Sequence, residues 1–235
     1  MKLSDFWWQL LLLALTCYLI GSISFATLLA KLFKKKNIRE EGSKNPGTMN
    51  MLRTHGAKMG ILTLLLDVLK GALPCLFAQR IFSGLSENAP ALLLGDIALY
   101  LAGLSVIVGH IYPVFYRFKG GKGAASTLGV FFWANPVGMS IVFVLAFIYL
   151  LLFEYGSVAS FICIVTLIVE RGIHYNADPH FVASGGNLLL SLLLFGLAFV
   201  TMFAHRQNIV RLITGTEHKT SLKKIFKIKE KEEKY

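Results

Sequence analysis

Charge is scarce in this 235-residue chain: Asp, Glu, Lys and Arg together make up 16% of it, with 13 acidic residues against 24 Lys and Arg. Soluble domains ordinarily carry about 25% charged residues. The shortfall, beside 55% hydrophobic residues and a mean hydropathy of +0.61, argues against a water-soluble globule and for an integral membrane protein. Cysteine is also sparse. Cys17, Cys75 and Cys163 all fall in apolar stretches, at a spacing that suits neither a disulfide framework nor a metal site, so they read as buried thiols. The N-terminus lacks a small-residue cleavage site. Lys2 precedes a long apolar run, which is expected to be a retained first span and not a signal peptide. No internal repeat is evident, and no linker is long enough to separate domains. Residues 1–235 therefore read as one domain, with 215–235 as a basic tail.

What the chain does have is apolar runs of membrane-spanning character, near residues 6–30, 60–82, 91–112, 137–153, 157–172 and 187–204. A shorter run, 124–134, precedes the turn signal Asn135–Pro136 and predicts a short or recessed helix. The fold class expected is all-α: a polytopic bundle of seven transmembrane helices, with the short helix following a Gly/Lys loop.

The net charge of +11 would suit nucleic acid if it were spread over one face, but it is blocked along the chain. Loop 31–58 holds eight Lys and Arg, the loop around 118–126 holds Arg117, Lys119 and Lys122, and the stretch from Arg206 onward holds nine. Loops 83–90 and 173–186 hold none. With seven crossings every basic segment falls on one side, which the positive-inside rule makes the cytoplasm. The N-terminus is then outside and the C-terminus inside. The runs "KLFKKK" (31–36) and "LKKIFKIKEKEEK" (222–234) suit anionic headgroups of the bilayer, at about 1 kcal/mol per basic residue.

Three of the cytoplasmic segments carry polar residues that anchoring does not require. In "EEGSKNPGTMNMLR" (40–53), Ser43, Asn45, Thr48 and Asn50 are turn and capping residues, Pro46–Gly47 marks a tight bend, and Arg53 follows. A structured loop opening a helix explains the bend but not the arginine. In "GHIYPVFYRFKGGKGAAS" (109–126), Gly120, Gly121 and Gly123 surround Lys122, just ahead of the predicted short helix. This is not a Walker loop, because Gly123 stands where Ser or Thr would follow the lysine. Glycines that let N–H groups approach a ligand, beside a helix N-terminus, suit a phosphate. In "HRQNIVRLITGTE" (205–217), His205 and Asn208, and Asn208 and Arg211, are spaced i, i+3 and share a helix face. Inside the second span, Asp67 and Lys70 at i, i+3 predict a buried structural pair. Glu170 and Arg171 are placed at the outer interface. His174, Asp178 and His180 on the outer loop 173–186 are too few and too loosely placed for a metal site, and none is expected.

Four ordered blocks, "GSKNPGTMNMLRTHG", "LLLDVLKGALP", "GHIYPVFYRFKGGKG" and "HRQNIVRLITGTE", span residues 42–217. In these the chain resembles the bacterial acyl-phosphate:glycerol-3-phosphate acyltransferases. The resemblance implies a seven-helix bundle in the bacterial cell membrane with its active site facing the cytoplasm. The reaction implied is transfer of a fatty acyl group from acyl phosphate to the 1-hydroxyl of sn-glycerol 3-phosphate, giving lysophosphatidic acid and phosphate without a cofactor. The H-x-x-x-x-D motif of other glycerolipid acyltransferases does not occur around any of the six histidines. By resemblance the catalytic set is Ser43, Arg53, Lys122, His205 and Asn208. Asn45, Gly47, Thr48, Asn50, His110, Lys119, Gly120, Gly121, Gly123 and Arg211 would bind the substrates and their phosphates. Asp67, Lys70 and Glu217 would be structural.

An acyl phosphate has a good leaving group, so no acyl-enzyme on Ser or Cys is required. The base favoured is the substrate's own phosphate oxygen, with a histidine as the competitor. "GKGAAS" departs slightly from the family, which more often reads valine–alanine–threonine after the lysine–glycine. A soluble enzyme that makes acyl phosphate is a further partner the basic loops would suit. The rival reading from another class is a transporter or scramblase of an anionic lipid precursor. The missing repeat and the gathering of polar motifs on one face weigh against it.

Overall fold

The computed structural model describes residues 3–85, 91–183 and 185–222, and among these every regular element is helical. Buried in lipid, a backbone must satisfy its own hydrogen bonds, which a helix does and an open strand does not. The helices are α1 (Trp7–Gly21), α2 (Phe25–Lys34), α3 (Thr48–Gly84), α4 (Ala91–Ile111), α5 (Ala124–Ala134), α6 (Pro136–Phe153), α7 (Gly156–Ala177), α8 (Pro179–Ala183), α9 (Gly186–Ala204) and α10 (Arg206–Ile213). Among the described residues six stretches are long and apolar enough to cross a membrane, and α5 is not among them. At 1.5 Å per residue α5 is about 16 Å long, half of an about 30 Å hydrocarbon core.

The centre of the bundle is α4, which packs on α1, α3, α5 and α9. Of its most apolar window 72% is buried, against 17% for α6. The side chains left on the outside are those lipid would cover: Leu11, Leu15, Leu65, Phe77, Ile141, Phe195 and Phe199 are all exposed. The α1–α4 crossing is close because Gly21 and Gly109 meet backbone across it. A Cβ at either would collide with the carbonyl of Val106 or Tyr18.

Three boundaries differ from the sequence expectation. The run 6–30 is two helices, broken at Ser22–Ser24. Its open carbonyls find a side chain instead of water: Lys70 Nζ on α3 donates to Ile23 O (2.8 Å) and Gly21 O (3.3 Å). The second span begins well before residue 60, because α3 starts at Thr48 and is interrupted only at Gly56, whose φ of 82° suits glycine. The segment 173–186, expected to be a loop, is largely helical. α7 runs on to Ala177, and Asp178 Oδ1 accepts the His180 N–H (2.9 Å) at the start of α8. The α5–α6 boundary falls where expected. Pro136 takes the first helical position of α6, and Asn135 caps it by accepting the Gly138 N–H (3.0 Å).

Candidate active site

A cavity of about 350 Å³ opens where the ends of α3, α4, α5, α7 and α10 converge. Part of its lining is polar. Ser43, Asn45, Gly47, Thr48, Asn50 and Arg53 come from the loop and first turns of α3, Asp67 from further along α3, and His110 from the last turn of α4. Lys122 and Gly123 come from the Gly/Lys loop, and His205, Asn208, Arg211 and Glu217 from the segment around α10. The apolar lining comes from Leu52, Ile61 and Leu64 of α3, Leu128 of α5, Phe143, Ala146, Phe147 and Leu150 of α6, and Ala159 and Cys163 of α7.

Lys122 and Asn208 bridge two of the segments. The Lys122 ammonium donates to Asn208 Oδ1, and Asn208 Nδ2 donates to Glu217 Oε1 (2.6 Å). Glu217 also accepts from Ser157 Oγ (2.8 Å) and Arg211 Nε (2.8 Å). Burial alone would raise the Glu217 carboxyl, but these hydrogen bonds and the Arg211 charge hold it below its usual range. Glu217 thus ties Asn208, Ser157 and Arg211 together. Burial pushes the Lys122 ammonium down to about 8, helped by the positive charges of Arg211 and Arg53 and opposed by Glu217. Arg53 donates its Nε to Met49 O (2.9 Å) and makes no ion pair among the described residues. With Asp67 paired to Lys70, three cations (Lys122, Arg53 and Arg211) face the one remaining carboxylate of the lining, Glu217, an excess that an anionic ligand would balance.

His205 is 3% exposed and ends α9. Its Nδ1 lies 2.8 Å from Thr201 O, and since a carbonyl only accepts, the proton is on Nδ1 and Nε2 keeps its lone pair. Burial pushes this imidazole down to about 4, with the nearby Lys122 charge adding to the effect. The ring is neutral at pH 7. His110, buried at the other edge, is fixed by Lys70, whose ammonium donates to its Nδ1 (2.9 Å) and pairs with Asp67 Oδ1 (3.1 Å). The Asp67–Lys70 pair expected from i, i+3 spacing is present, and it has recruited a histidine and the α1–α2 break.

The glycines of the loop divide into two kinds. Gly123 has φ 82°, is the N-cap of α5 and lines the cavity with Ala124 and Ala125. No side chain caps this helix start, so its first N–H groups face the cavity without an intrahelical acceptor. Gly120 and Gly121 instead donate their N–H groups to Ile111 O and His110 O (both 3.0 Å), at the end of α4. A Cβ at Gly120 would collide with the His110 carbonyl, and one at Gly121 with the His110 ring. Their N–H groups are already bonded, so close packing and not phosphate contact accounts for these two. Lys119 does not line the cavity; its carbonyl accepts from Arg39 Nη1.

Asn50 lines the cavity but has both ends occupied. Oδ1 accepts the Ser43 N–H (2.9 Å), while Nδ2 donates to Glu41 O (3.0 Å) and Ile38 O (3.3 Å). It folds the 38–43 loop into place beneath Ser43. Thr48 Oγ1 is buried without a hydrogen-bond partner among the described residues. Sequence reasoning missed Ser157, Ser160, His218, Thr220 and Leu222, which line the cavity as well. Two serines at the start of an apolar span and a stretch of tail gave no signal in the sequence.

The family model for glycerol-3-phosphate acyltransferase matches residues 11–215. The chain is 34% identical over 210 residues to the glycerol-3-phosphate acyltransferase of Finegoldia magna, covering 89% of this chain and 96% of that one. It is 37% identical over 202 residues to glycerol-3-phosphate acyltransferase 2 of Bacillus anthracis, covering 86% and 94%. The fold matches a crystal structure of PlsY (YgiH), an integral membrane glycerol 3-phosphate acyltransferase, in its glycerol 3-phosphate form. The TM-score is 0.75 at 32% identity, over 93% of this chain and 98% of that one. The lysophosphatidic acid form of PlsY aligns with a TM-score of 0.72 at 33% identity, over 91% and 97%. A match over most of the length of both chains leaves one conclusion: the chain belongs to the glycerol-3-phosphate acyltransferase family.

Proposed function

We propose that this protein transfers a fatty acyl group from acyl phosphate to the 1-hydroxyl of sn-glycerol 3-phosphate, releasing lysophosphatidic acid and phosphate. The observation that carries this reading is a single cavity with both polar and apolar lining. Its polar lining offers Lys122, Arg53, Arg211 and the uncapped start of α5 to phosphate, while α6 and α7 supply apolar lining for an acyl chain. The relatives named above act on, or were crystallised with, glycerol 3-phosphate and its monoacyl product.

In this reading the donor phosphate sits at the α5 N-terminus with Lys122, Ser43 and Thr48. Glycerol 3-phosphate is held by Arg53, Asn208, Arg211 and the His205 ring. The 1-oxygen bonds to the acyl carbon, its proton leaves, the anhydride C–O bond breaks and phosphate departs. Charge builds on the carbonyl and on the leaving phosphate, where fixed cations lower the barrier most. A base works best with a pKa near the operating pH. An imidazole held at about 4 is neutral but weak, whereas a phosphate monoester titrates near 6. That difference favours a substrate phosphate oxygen as the base and makes His205 a positioning group.

The membrane arrangement follows the same proposal. The cavity ends of α3, α4, α6, α7 and α9 would face the cytoplasm with the basic loops, and α5 would serve as a recessed seventh crossing. The N-terminus would lie outside, and those loops would meet anionic lipid and a soluble acyl-phosphate-producing enzyme. The test is phosphate release by purified protein in detergent, given palmitoyl phosphate with and without glycerol 3-phosphate. Release that depends on glycerol 3-phosphate is expected. Its absence from well-folded protein would favour transport of an anionic lipid precursor.

A further inference from the structure

Residues 218–222, "HKTSL", lie past residue 215, where the family match ends, yet His218, Thr220 and Leu222 line the cavity. The segment is gripped by the turn between α6 and α7. The Thr220 N–H donates to Glu154 O (2.7 Å), the Lys219 ammonium sits over the Tyr155 ring (5.6 Å to its centroid), and just upstream Glu217 accepts from Ser157 Oγ (2.8 Å). Two positions of that turn and one in the first turn of α7 thus hold three positions of the tail.

What the grip presents to the cavity is unusual for its place. Thr220 is 1% and Leu222 6% exposed, and both line the cavity that also holds Lys122, Arg53 and Arg211. A leucine offers nothing to a phosphate. It can displace water from a polar chamber, which strengthens the fixed charges inside and protects a reactive intermediate or substrate from hydrolysis. An acyl phosphate needs such protection, because water is a competing nucleophile for the same carbonyl.

We propose that residues 218–222 form a strap, with Leu222 as its plug, that keeps water from the acyl carbonyl and so sets the partition between transfer and hydrolysis. The inference rests on the acyl-phosphate reading above. In the disfavoured branch a water oxygen bonds to the acyl carbon and the anhydride C–O bond breaks. Phosphate leaves, the water protons pass to phosphate and solvent, and the product is free fatty acid. Closure thereby makes glycerol 3-phosphate the acceptor by exclusion as well as by binding.

The experiment measures fatty acid and lysophosphatidic acid together. Purified full-length protein in detergent receives palmitoyl phosphate and glycerol 3-phosphate, products are quantified by mass spectrometry, and enzyme-free hydrolysis is subtracted. Leu222→Ser makes the plug polar, and Thr220→Pro removes the N–H that Glu154 accepts. The two loosen the strap by unrelated means, so a folding failure in one leaves the other to decide. Each is expected to raise the ratio of fatty acid to lysophosphatidic acid several-fold with the KM for glycerol 3-phosphate little changed, while Leu222→Met keeps the parent ratio. An unchanged ratio in both, or a proportional fall of both products, overturns the strap. Should the parent protein make lysophosphatidic acid and Lys122→Ala abolish it, the cavity reading survives that failure. Well-folded parent that makes no lysophosphatidic acid overturns both.

Discussion

Two polar clusters interrupt the apolar bundle, one toward each end of α4, and their bonding differs. Near the start of α4, Asp96 accepts from Gln79 Nε2 (2.7 Å) and Tyr175 OH (3.1 Å), and Gln79 Oε1 accepts from Trp133 Nε1 (2.7 Å). Four helices are tied together there, and each of these groups has its partner. About 21 Å further along α4, on a rise of 1.5 Å per residue, His110 borders the cavity. At that end, among the described residues, Thr48 Oγ1 has no partner, the start of α5 has no side-chain cap, and Arg53 has no carboxylate. Both clusters pack polar groups into a membrane protein. Only one of them leaves donors and cations uncommitted, and that marks a site more reliably than polarity does.

Lys122→Ala gives the comparison its hardest test. Removing a cation aimed at charge that develops in the transition state is expected to lower turnover about 10²–10³-fold. Near-normal phosphate release by this variant would erase the distinction between the clusters. Titration sharpens it next. Lys122 sits below the ordinary lysine range, so its cation is lost as pH rises through about 8. For the free enzyme kcat/KM is expected to fall about tenfold per unit above that point; a profile flat to pH 10 would remove Lys122 from phosphate binding.

His205→Ala separates positioning from proton transfer. About tenfold or less, mostly in the KM for glycerol 3-phosphate, is expected, against the 10²–10⁴ that loss of a general base costs. A loss of the larger size in kcat would return the base to His205. The smallest effect on activity belongs to the closed cluster. Asp96→Asn places an amide where two donors converge and is expected to cost about 1–3 kcal/mol of stability with kcat unchanged. A thermal melt beside the turnover assay reads both.

The sequence made some of this architecture legible and hid the rest for physical reasons. α5 was visible because an apolar run meets Asn135–Pro136, and both cap and stop are local chemistry. The Asp67–Lys70 pair was visible because i, i+3 spacing places the two on one helix face. His110 as their third partner, from 40 residues along the chain, was not. Arg53, Lys122, His205, Asn208 and Arg211 were found as cations and amides of three segments, and the fold brings all three to one cavity. Gly120 and Gly121 looked like phosphate contacts because glycine-rich loops bring N–H groups close to ligands. Their close approach is to α4 instead, a tertiary fact that composition does not encode. Asn50 likewise reads as a polar lining residue until the loop it supports is seen.

The break between α1 and α2 bears on how the protein is made. Carbonyls left open at Gly21 and Ile23 find their donor in Lys70, which lies in the next span to be synthesised. Until that span is made these carbonyls lack their donor, and a backbone group left unsatisfied within hydrocarbon costs several kcal/mol. The first hairpin is therefore expected to assemble as a pair, with α1 and α2 retained beside the translocon until α3 arrives. A Lys70→Met chain should expose the dependence: its nascent first span stays accessible to crosslinking with the insertion machinery after the parent's has been released. A side chain that serves the finished enzyme as an internal fastener would, during synthesis, act as the signal that the membrane can close around it.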